Sequence, residues 1–327
     1  MLTLDEFQGE EFQGYIENVP PARNYILSKF LPAKKVYDLE FAYNVINKTY
    51  SRTASITGFD SDVPLRDKDG LSQAFGEVAK VMHGFRVSEK ELLRFINPRA
   101  NTDEEKEAVE YVYDQTDNLI QGVYDIEEWM RAQVLYKGQL VYDENGVVLD
   151  IDFNIPTANK MTAATAWNAT GATPLRDIQA LVKQYRKANQ NNKPVEIHIS
   201  EAVWYDLLSS SEVIRQVYGE TTDRPLVTEE QLNAVLTGLR LPRLVVQDMQ
   251  VDNGNGAEDL LPERRIVAFG EGEVGKTFYG PTVEKNFQPG MFVQTKIENK
   301  PPKQEVWVGE TIFPALQKPQ AIVWMDV

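Results

Sequence analysis

Cysteine is absent from the 327 residues of this chain, and histidine occurs only twice, as His83 and His198. The absence of cysteine excludes disulfides, thiolate nucleophiles and zinc–thiolate sites, and neither histidine has metal-ligand spacing around it. Long apolar runs are also missing, since no stretch approaches the roughly 20 apolar residues that a membrane span needs. The first residues lack the basic and apolar regions of a secretion signal. We therefore expect a cytoplasmic product with no membrane partner.

The charge balance is strongly acidic. Asp and Glu number 49 against 34 Lys and Arg, which gives a formal net charge of −15 and a pI near 4.7. Affinity for a phosphate backbone comes largely from clustered Lys and Arg, so this balance argues against specific nucleic-acid binding. A hydrophobic content of 42% and a charged content of 25% are ordinary for a globular protein. The composition therefore favours a soluble globular protein with a substantial core.

Residues 38–137 combine an extended, mostly polar ribbon with one long amphipathic helix. In 38–81, short β-prone stretches alternate with turn clusters, which predicts strands joined by loops. Thr102 and Glu105 have the spacing of a capping box and Gly138 supplies a stop. The predicted helix is roughly 54 Å long at about 1.5 Å per residue. Its apolar or small residues recur near helical spacing at Val109, Val112, Thr116, Leu119, Val123, Ile126, Met130 and Val134. A projecting ribbon cannot bury itself, so we expect neighbouring subunits to complete it.

Smaller elements are predicted on either side of this pair. A short helix at 24–31 and another beginning at Ser88 precede the long helix. An Asn-Gly turn predicts a hairpin over 139–153, and the Thr-Pro pair at 173–174 predicts a helix start. Strands and helices then alternate to about Pro262, which is typical of a compact α/β subdomain. The remaining predictions are a loop over 157–170, helices at 201–208 and 229–236, and strands at 195–199, 244–247, 265–269, 292–297, 306–308 and 322–324.

One segment matches a nucleotide-binding pattern. The run Gly270-Glu-Gly-Glu-Val-Gly275-Lys276-Thr277 fits G-x-x-x-x-G-K-[ST] and follows an apolar strand. In a genuine site, Lys276 would reach the terminal phosphates and Thr277 would hold magnesium. A genuine loop runs into a helix, whereas aromatics, glycine and proline follow Thr277 within four residues. Glu271 and Glu273 would also place negative charge beside a polyphosphate. We interpret the match as a false positive, a tight turn between strands.

Other candidate sites are weaker still. We expect His198 to be a satisfied structural residue in its strand and His83 to serve packing or an interface. The paired carboxylates Glu127 and Glu128 lie on a helix flank, where a solvated face is the expectation. The sequence therefore predicts no catalytic residue, no metal site and no cofactor.

Six segments of the sequence, taken in order, are similar to characteristic segments of one known protein family. They are 59–66, 80–92, 127–138, 147–153, 261–277 and 318–327. The first two resemble an extended loop that returns to a short helix, and the next two resemble the end of a long helix followed by a hairpin. The last two resemble the strand after an axial domain with its following turn, and the closing region. In this order and spacing the chain resembles tailed-bacteriophage major capsid proteins of the lambda gpE type, which adopt the HK97-like fold.

The resemblance implies an α+β, HK97-like capsid fold of four parts. These are an N-terminal arm at 1–37, an extended β loop at 38–82, a peripheral domain at 83–171 and 261–327 with a spine helix at about 102–137, and an α/β axial domain at 172–260.

The resemblance also implies a structural protein and not an enzyme. Such a protein self-assembles through hexamers and pentamers into the icosahedral head that encloses the double-stranded DNA of a tailed bacteriophage. The implied partners are a separate scaffolding protein, a portal, a maturation protease or decoration protein, and packaged DNA held without specific binding. Its place is the virion capsid, after assembly in the host bacterial cytoplasm. The alternatives are an encapsulin-like shell protein and a P-loop NTPase that uses Lys276 and Thr277.

Overall fold

The structure, a computed structural model, describes residues 10–46, 71–90, 102–144, 147–220, 224–252, 256–300 and 302–327. The described residues divide into two compact units. Unit 1 is drawn from Met1–Ala42, Phe75–Arg131 and Lys276–Ala315, and unit 2 from Tyr43–Ala74, Ala132–Gly275 and Leu316–Val327.

Helices and strands both contribute to each unit. The α-helices are α1 (Glu10–Asn18), α2 (Thr102–Ala132), α3 (Pro174–Ala188), α4 (Glu201–Ser209), α5 (Ser211–Tyr218) and α6 (Glu229–Gly238). The strands are β1 (Ala33–Lys35), β2 (Glu40–Ile46), β3 (Leu71–Glu77), β4 (Ala79–Ser88), β5 (Gln139–Glu144), β6 (Val147–Asp152), β7 (Lys160–Thr162), β8 (Glu196–Ile199), β9 (Arg243–Val246), β10 (Gln250–Asp252), β11 (Ala257–Asp259), β12 (Arg265–Phe269), β13 (Gly275–Thr282), β14 (Gln288–Pro289), β15 (Phe292–Asn299), β16 (Pro302–Leu316) and β17 (Val323–Asp326).

A six-stranded sheet organises unit 1. Its main path is β1-β13-β16-β15, with β4 also paired to β16 and β14 to β13. Side chains on alternate positions of β16, such as Val306 and Val308, point to one face and are buried. They form a core with α1 and α2, which contribute Ile16, Ile120 and Val123. The long helix therefore gains its stability by covering one face of this sheet.

A mixed five-stranded sheet organises unit 2. Its order is β7-β17-β12-β8-β9, in which the β7–β17 and β8–β9 pairs are parallel and the two central pairs antiparallel. The four helices α3 to α6 pack their apolar side chains into one core with this sheet. On α3, the residues that share the buried face are Leu175, Ile178, Leu181, Val182 and Tyr185. The predicted α/β core is therefore present, and it draws β12 and β17 from the strand-rich end of the chain.

The long predicted helix is confirmed. It runs as α2 and then widens into a π-helical turn, Gln133–Lys137, before Gly138 ends it at φ 71° in the left-handed region. The side chains of the predicted capping box at Thr102 and Glu105 lie outside the described residues. No helix in the described part of the chain is both long enough and apolar enough to cross a bilayer.

The extended loop is described in part. Strands β2 and β3 pair with each other, and β4 continues the chain into the sheet of unit 1. The turn clusters predicted between 47 and 70, and most of the helix predicted from Ser88, lie outside the described residues.

The predicted turn between strands is present, since a bend separates β12 from β13, although β13 itself was not predicted. Other local predictions were wrong. The loop predicted at 157–170 contains a 3-10 turn and β7. The helix predicted at 24–31 shrinks to the 3-10 turn Ile26–Lys29, and α5 was missed. These segments are short, so tertiary pairing outweighs their weak local signals.

Candidate functional site

The segment that matches the nucleotide-binding pattern forms a bend followed by a strand. Glu271 and Glu273 are exposed in the bend, and Gly275 begins β13. Within this described segment no helix begins, so the backbone offers no helix N-terminus to an anion. Gly270 has a packing reason instead, because a Cβ there would lie 2.2 Å from the Tyr185 hydroxyl oxygen.

A cleft with a volume of about 830 Å³ lies beside this bend within unit 2. Its wall carries both signs of charge, with Lys193 and Lys318 near Glu271 and Glu273. Lys318 is engaged locally, since its Nζ donates to the backbone carbonyl of Glu273 at 2.9 Å. The two carboxylates make this wall unfavourable for a polyphosphate.

Thr277 is the residue that would bind magnesium in a genuine phosphate loop, but here it makes its hydrogen bonds within unit 1. Its side chain is buried in β13, and its hydroxyl donates to the carbonyl of Leu31 at 2.8 Å. The same oxygen accepts from Arg131 Nε at 3.1 Å, and the Thr277 backbone N–H donates to the carbonyl of Pro32. Because these bonds occupy a buried hydroxyl, Thr277 serves to hold the chain near Leu31 and Pro32.

His198 is buried in β8 and hydrogen-bonded at both ring nitrogens. Nε2 lies 3.0 Å from Glu196 Oε1, and Nδ1 lies 2.7 Å from the Tyr136 hydroxyl. A carboxylate can only accept, so Nε2 donates to Glu196; in the neutral imidazole Nδ1 is then the acceptor, and the hydroxyl of Tyr136 donates to it. Glu196 also pairs with Arg243 at 2.5 Å. His198 is thus the structural residue that the sequence predicted.

His83 lies on β4 and serves packing within unit 1. Its Nε2 donates to the carbonyl of Leu119 on α2 at 2.6 Å. A Cβ at Gly122 would lie 2.3 Å from the imidazole ring, so glycine at that position permits the close approach of His83. Within the described residues, no three His, Asp or Glu side chains are grouped as metal ligands.

Glu127 and Glu128, expected on a solvated helix flank, are buried, so that prediction was wrong. They are 4% and 0% exposed. Arg131, one helical turn further on, bonds both, with Nη2 at 2.5 Å from Glu127 and Nη1 at 3.3 Å from Glu128. The backbone N–H of Leu27 donates to the other oxygen of Glu128 at 2.8 Å. The physical reason is that burial of carboxylates is tolerated once they are paired and hydrogen-bonded.

Two further residues complete this buried group, which we call the arm cluster: Glu127, Glu128, Arg131, Thr277, Tyr279 and Glu310. The Tyr279 hydroxyl donates to Glu127 at 2.7 Å and accepts from Arg131 at 2.9 Å. Glu310 is 2% exposed, and its Oε1 has no hydrogen-bond partner among the described residues. Burial, then the neighbouring charge of Glu127, raises the pKa of Glu310 well above its ordinary value. Burial also raises the pKa of Glu128.

The arm cluster fastens the N-terminal arm to the rest of unit 1. Leu27 binds it through an amide, and Leu31 and Pro32 through carbonyls, so three backbone groups of the arm are satisfied by buried side chains or backbone of α2 and β13. Sequence reasoning missed this site. The available signal was the spacing of Glu127 and Arg131, which places opposite charges on one helical face.

A family model describes most of this chain. The model of phage major capsid protein E matches residues 11–327. No curated protein matches the sequence.

Solved structures with a similar fold include phage and prophage proteins. One, assigned as the capsid protein of a prophage in Escherichia coli CFT073, has a TM-score of 0.58 at 15% identity and covers 79% of each chain. A phage-related protein from Bordetella bronchiseptica RB50 has a TM-score of 0.57 at 14% identity, over 96% of this chain and 95% of that one. The capsid structure of cyanophage P-SCSP1u has a TM-score of 0.50 at 10% identity, over 92% and 87%. These similarities confirm the α+β, HK97-like fold. With the family match over nearly its whole length, this chain belongs to the phage major capsid protein E family.

Proposed function

We propose that this protein assembles as hexamers and pentamers into an icosahedral shell that encloses the double-stranded DNA of a tailed bacteriophage. Its family membership supports the general part of this function, namely that the chain is a major capsid protein that self-assembles into a phage shell. The proposed assembly through hexamers and pentamers is supported by a fold in which an N-terminal arm and an extended loop accompany two compact units. Arms and loops of this kind add many modest contacts, which multivalency turns into a stable shell.

The proposed division of labour follows four parts of the chain. We propose an arm at 1–37, an extended loop at 38–82, a peripheral domain at 83–171 and 261–327, and an axial domain at 172–260. The buried anchoring of the arm at Leu27 and Leu31 supports treating the arm as a separate functional part. In this division β12 and β17 of the peripheral part would complete the sheet that contains β8 and β9.

We propose that the protein is not an enzyme and that Gly270, Gly275, Lys276 and Thr277 bind no nucleotide. The strand that follows Gly275 and the buried bonds of Thr277 support this proposal. It predicts that Lys276→Ala leaves assembly unchanged. Nucleotide binding by the wild type that Lys276→Ala abolishes would instead favour the NTPase alternative, and binding can be measured by isothermal titration calorimetry.

The proposed partners are a separate scaffolding protein, a portal, and a maturation protease or decoration protein. Assembly is proposed to take place in the host bacterial cytoplasm. A net charge of −15 supports packaged DNA that is enclosed without being specifically bound.

Electron microscopy of the purified full-length chain, with and without a co-expressed candidate scaffolding protein, tests this function. Shells, tubes or rings of five and six subunits are expected. A monomer under both conditions would contradict the proposal. A protein cargo packaged inside such particles would favour the encapsulin-like compartment over the phage head.

A further inference from the structure

The turn that joins β13 to β14 presents two large apolar side chains to solvent. Val283 is 71% exposed and Phe287 is 69% exposed. Turn positions between strands ordinarily carry Gly, Asn, Asp or Ser, which suit the backbone and water. The unit itself gains little from exposed apolar groups here, so their presence needs another reason.

The backbone at Phe287 makes this choice of residue more unusual. Asn286 and Phe287 have φ of 53° and 62°, in the left-handed region. Asparagine is tolerated there, whereas a bulky aromatic residue is an outlier. The conformation is fixed by hydrogen bonds from the Phe287 N–H to the Thr282 carbonyl at 2.8 Å and from the Asn286 N–H to the Val283 carbonyl at 3.1 Å. Phe287 is thus held in a strained conformation that leaves its ring in solvent.

The turn is also anchored to its surroundings in unit 1 by its two charged residues. Lys285 pairs with Glu17 of α1 at 2.7 Å and donates to the carbonyl of Met291 at 3.0 Å. Glu284 pairs with Lys80 of β4 at 2.5 Å. Hydrogen bonds from these lysines hold the pKa of Glu17 and of Glu284 below its ordinary value. The turn is therefore preorganised, and its own charges are neutralised within the subunit.

The net charge of the chain indicates what kind of partner this turn contacts. Each copy of this chain carries a net charge of −15, so two copies repel each other over most of their surfaces. A contact between copies is favoured where charges are already paired and apolar atoms are available for burial. The turn that carries Val283 and Phe287 meets both conditions. Because backbone hydrogen bonds already hold the turn, its backbone loses little entropy on docking.

We propose that Val283 and Phe287 form an assembly contact that docks into an apolar surface of a neighbouring copy of this chain. This inference rests on the self-assembly of the family and names one surface that performs it. The same contact repeats in every subunit. A modest loss of binding energy at one turn is therefore multiplied over all the subunits of the shell.

The test compares Phe287→Asn with a matched control, Asn286→Gly. Both substitutions suit a left-handed backbone, but only the first removes an apolar side chain. We expect Phe287→Asn to unfold at the same or a higher urea concentration than wild type, because it relieves strain and uncovers no core. We also expect it to raise the concentration needed for assembly at least tenfold, measured by light scattering and sedimentation, while Asn286→Gly assembles as wild type.

Several outcomes would overturn the proposal. If Phe287→Asn assembles at the wild-type concentration, the turn is not an assembly contact. If it unfolds at a clearly lower urea concentration than Asn286→Gly, Phe287 serves its own subunit. If it assembles normally but no longer recruits a scaffolding protein, the occupant is that protein and not a second copy. A wild-type chain that never assembles would overturn the shell function itself, which distinguishes that failure from the failure of this contact alone.

Discussion

Arg131 is the buried cation of the arm cluster, so Arg131→Met should be strongly destabilising. Its side chain is only 6% exposed and makes hydrogen bonds to Glu127, Glu128, Thr277 and Tyr279. Methionine fills much of the same volume without charge. The substitution therefore removes the one cation of the arm cluster and leaves its carboxylates buried without a counter-charge.

The size of the stability loss depends on which charged groups remain buried without a partner. Breaking a buried ion pair by removing one partner costs about 3–5 kcal/mol, because the remaining charge stays desolvated. Two carboxylates, Glu127 and Glu128, lose their cation here, although Glu128 keeps the Leu27 amide. We therefore expect a loss of about 4 kcal/mol in the free energy of unfolding, a large part of the roughly 5–15 kcal/mol that stabilises a typical protein. Urea titration of the unassembled protein measures this loss.

Arg86→Met is the matched control in the same unit. Arg86 pairs with Glu305 at 2.8 Å, but its side chain is 62% exposed. Exposed pairs contribute about 0–1 kcal/mol, so this variant should remain close to wild type. Equal losses for Arg86→Met and Arg131→Met would refute the reasoning that burial, and not the presence of an ion pair, decides the energy.

Two further substitutions test other parts of the structure. Because the folded-state pKa of Glu310 is raised, its stabilising effect is present below the ordinary value of 4.5 and is lost as pH rises towards the folded-state pKa. Glu310→Gln should therefore flatten the decline in stability above pH 4.5 by roughly 1 kcal/mol per pH unit, measured by urea titration across pH, and an unchanged slope would contradict this. Gly270→Ala should cost about 1–3 kcal/mol because its Cβ would meet the Tyr185 hydroxyl, and Tyr185→Phe in the same chain should recover part of that loss in a double-mutant cycle.

Long periodic segments were predictable from the sequence because they carry their own signals. The helix that ends at Gly138 has apolar spacing over many turns, and an Asn-Gly step in the sequence predicts the hairpin of β5 and β6. The family resemblance rested on the order of such segments, and it was confirmed. Strands such as β13 were missed because their neighbours in the sheet, β1 and β16, are distant in sequence.

The arm cluster could not be predicted for a different reason. On the helix, Glu127, Glu128 and Arg131 read as a charged flank, since charged residues are rarely buried unless paired. Their buried partners are distant in the sequence: Tyr279, which bonds Glu127, lies about 150 residues away, and Leu27, which bonds Glu128, lies about 100 residues away. A helical pattern indicates which residues share one face of a helix. Whether that face is exposed to solvent depends on what packs against it in the fold.

The nucleotide-binding match shows how an exact pattern can arise from separate structural demands. Within unit 2, a Cβ at Gly270 would meet the Tyr185 hydroxyl, which favours glycine at that position. Within unit 1, Thr277 is required by a buried hydroxyl that bonds Leu31 and Arg131. Each demand acts on one position and none involves a phosphate. A real phosphate loop places its conserved groups around one anion, so the decisive criterion is convergence of the side chains and amides on a common point, and the sequence pattern alone does not contain it.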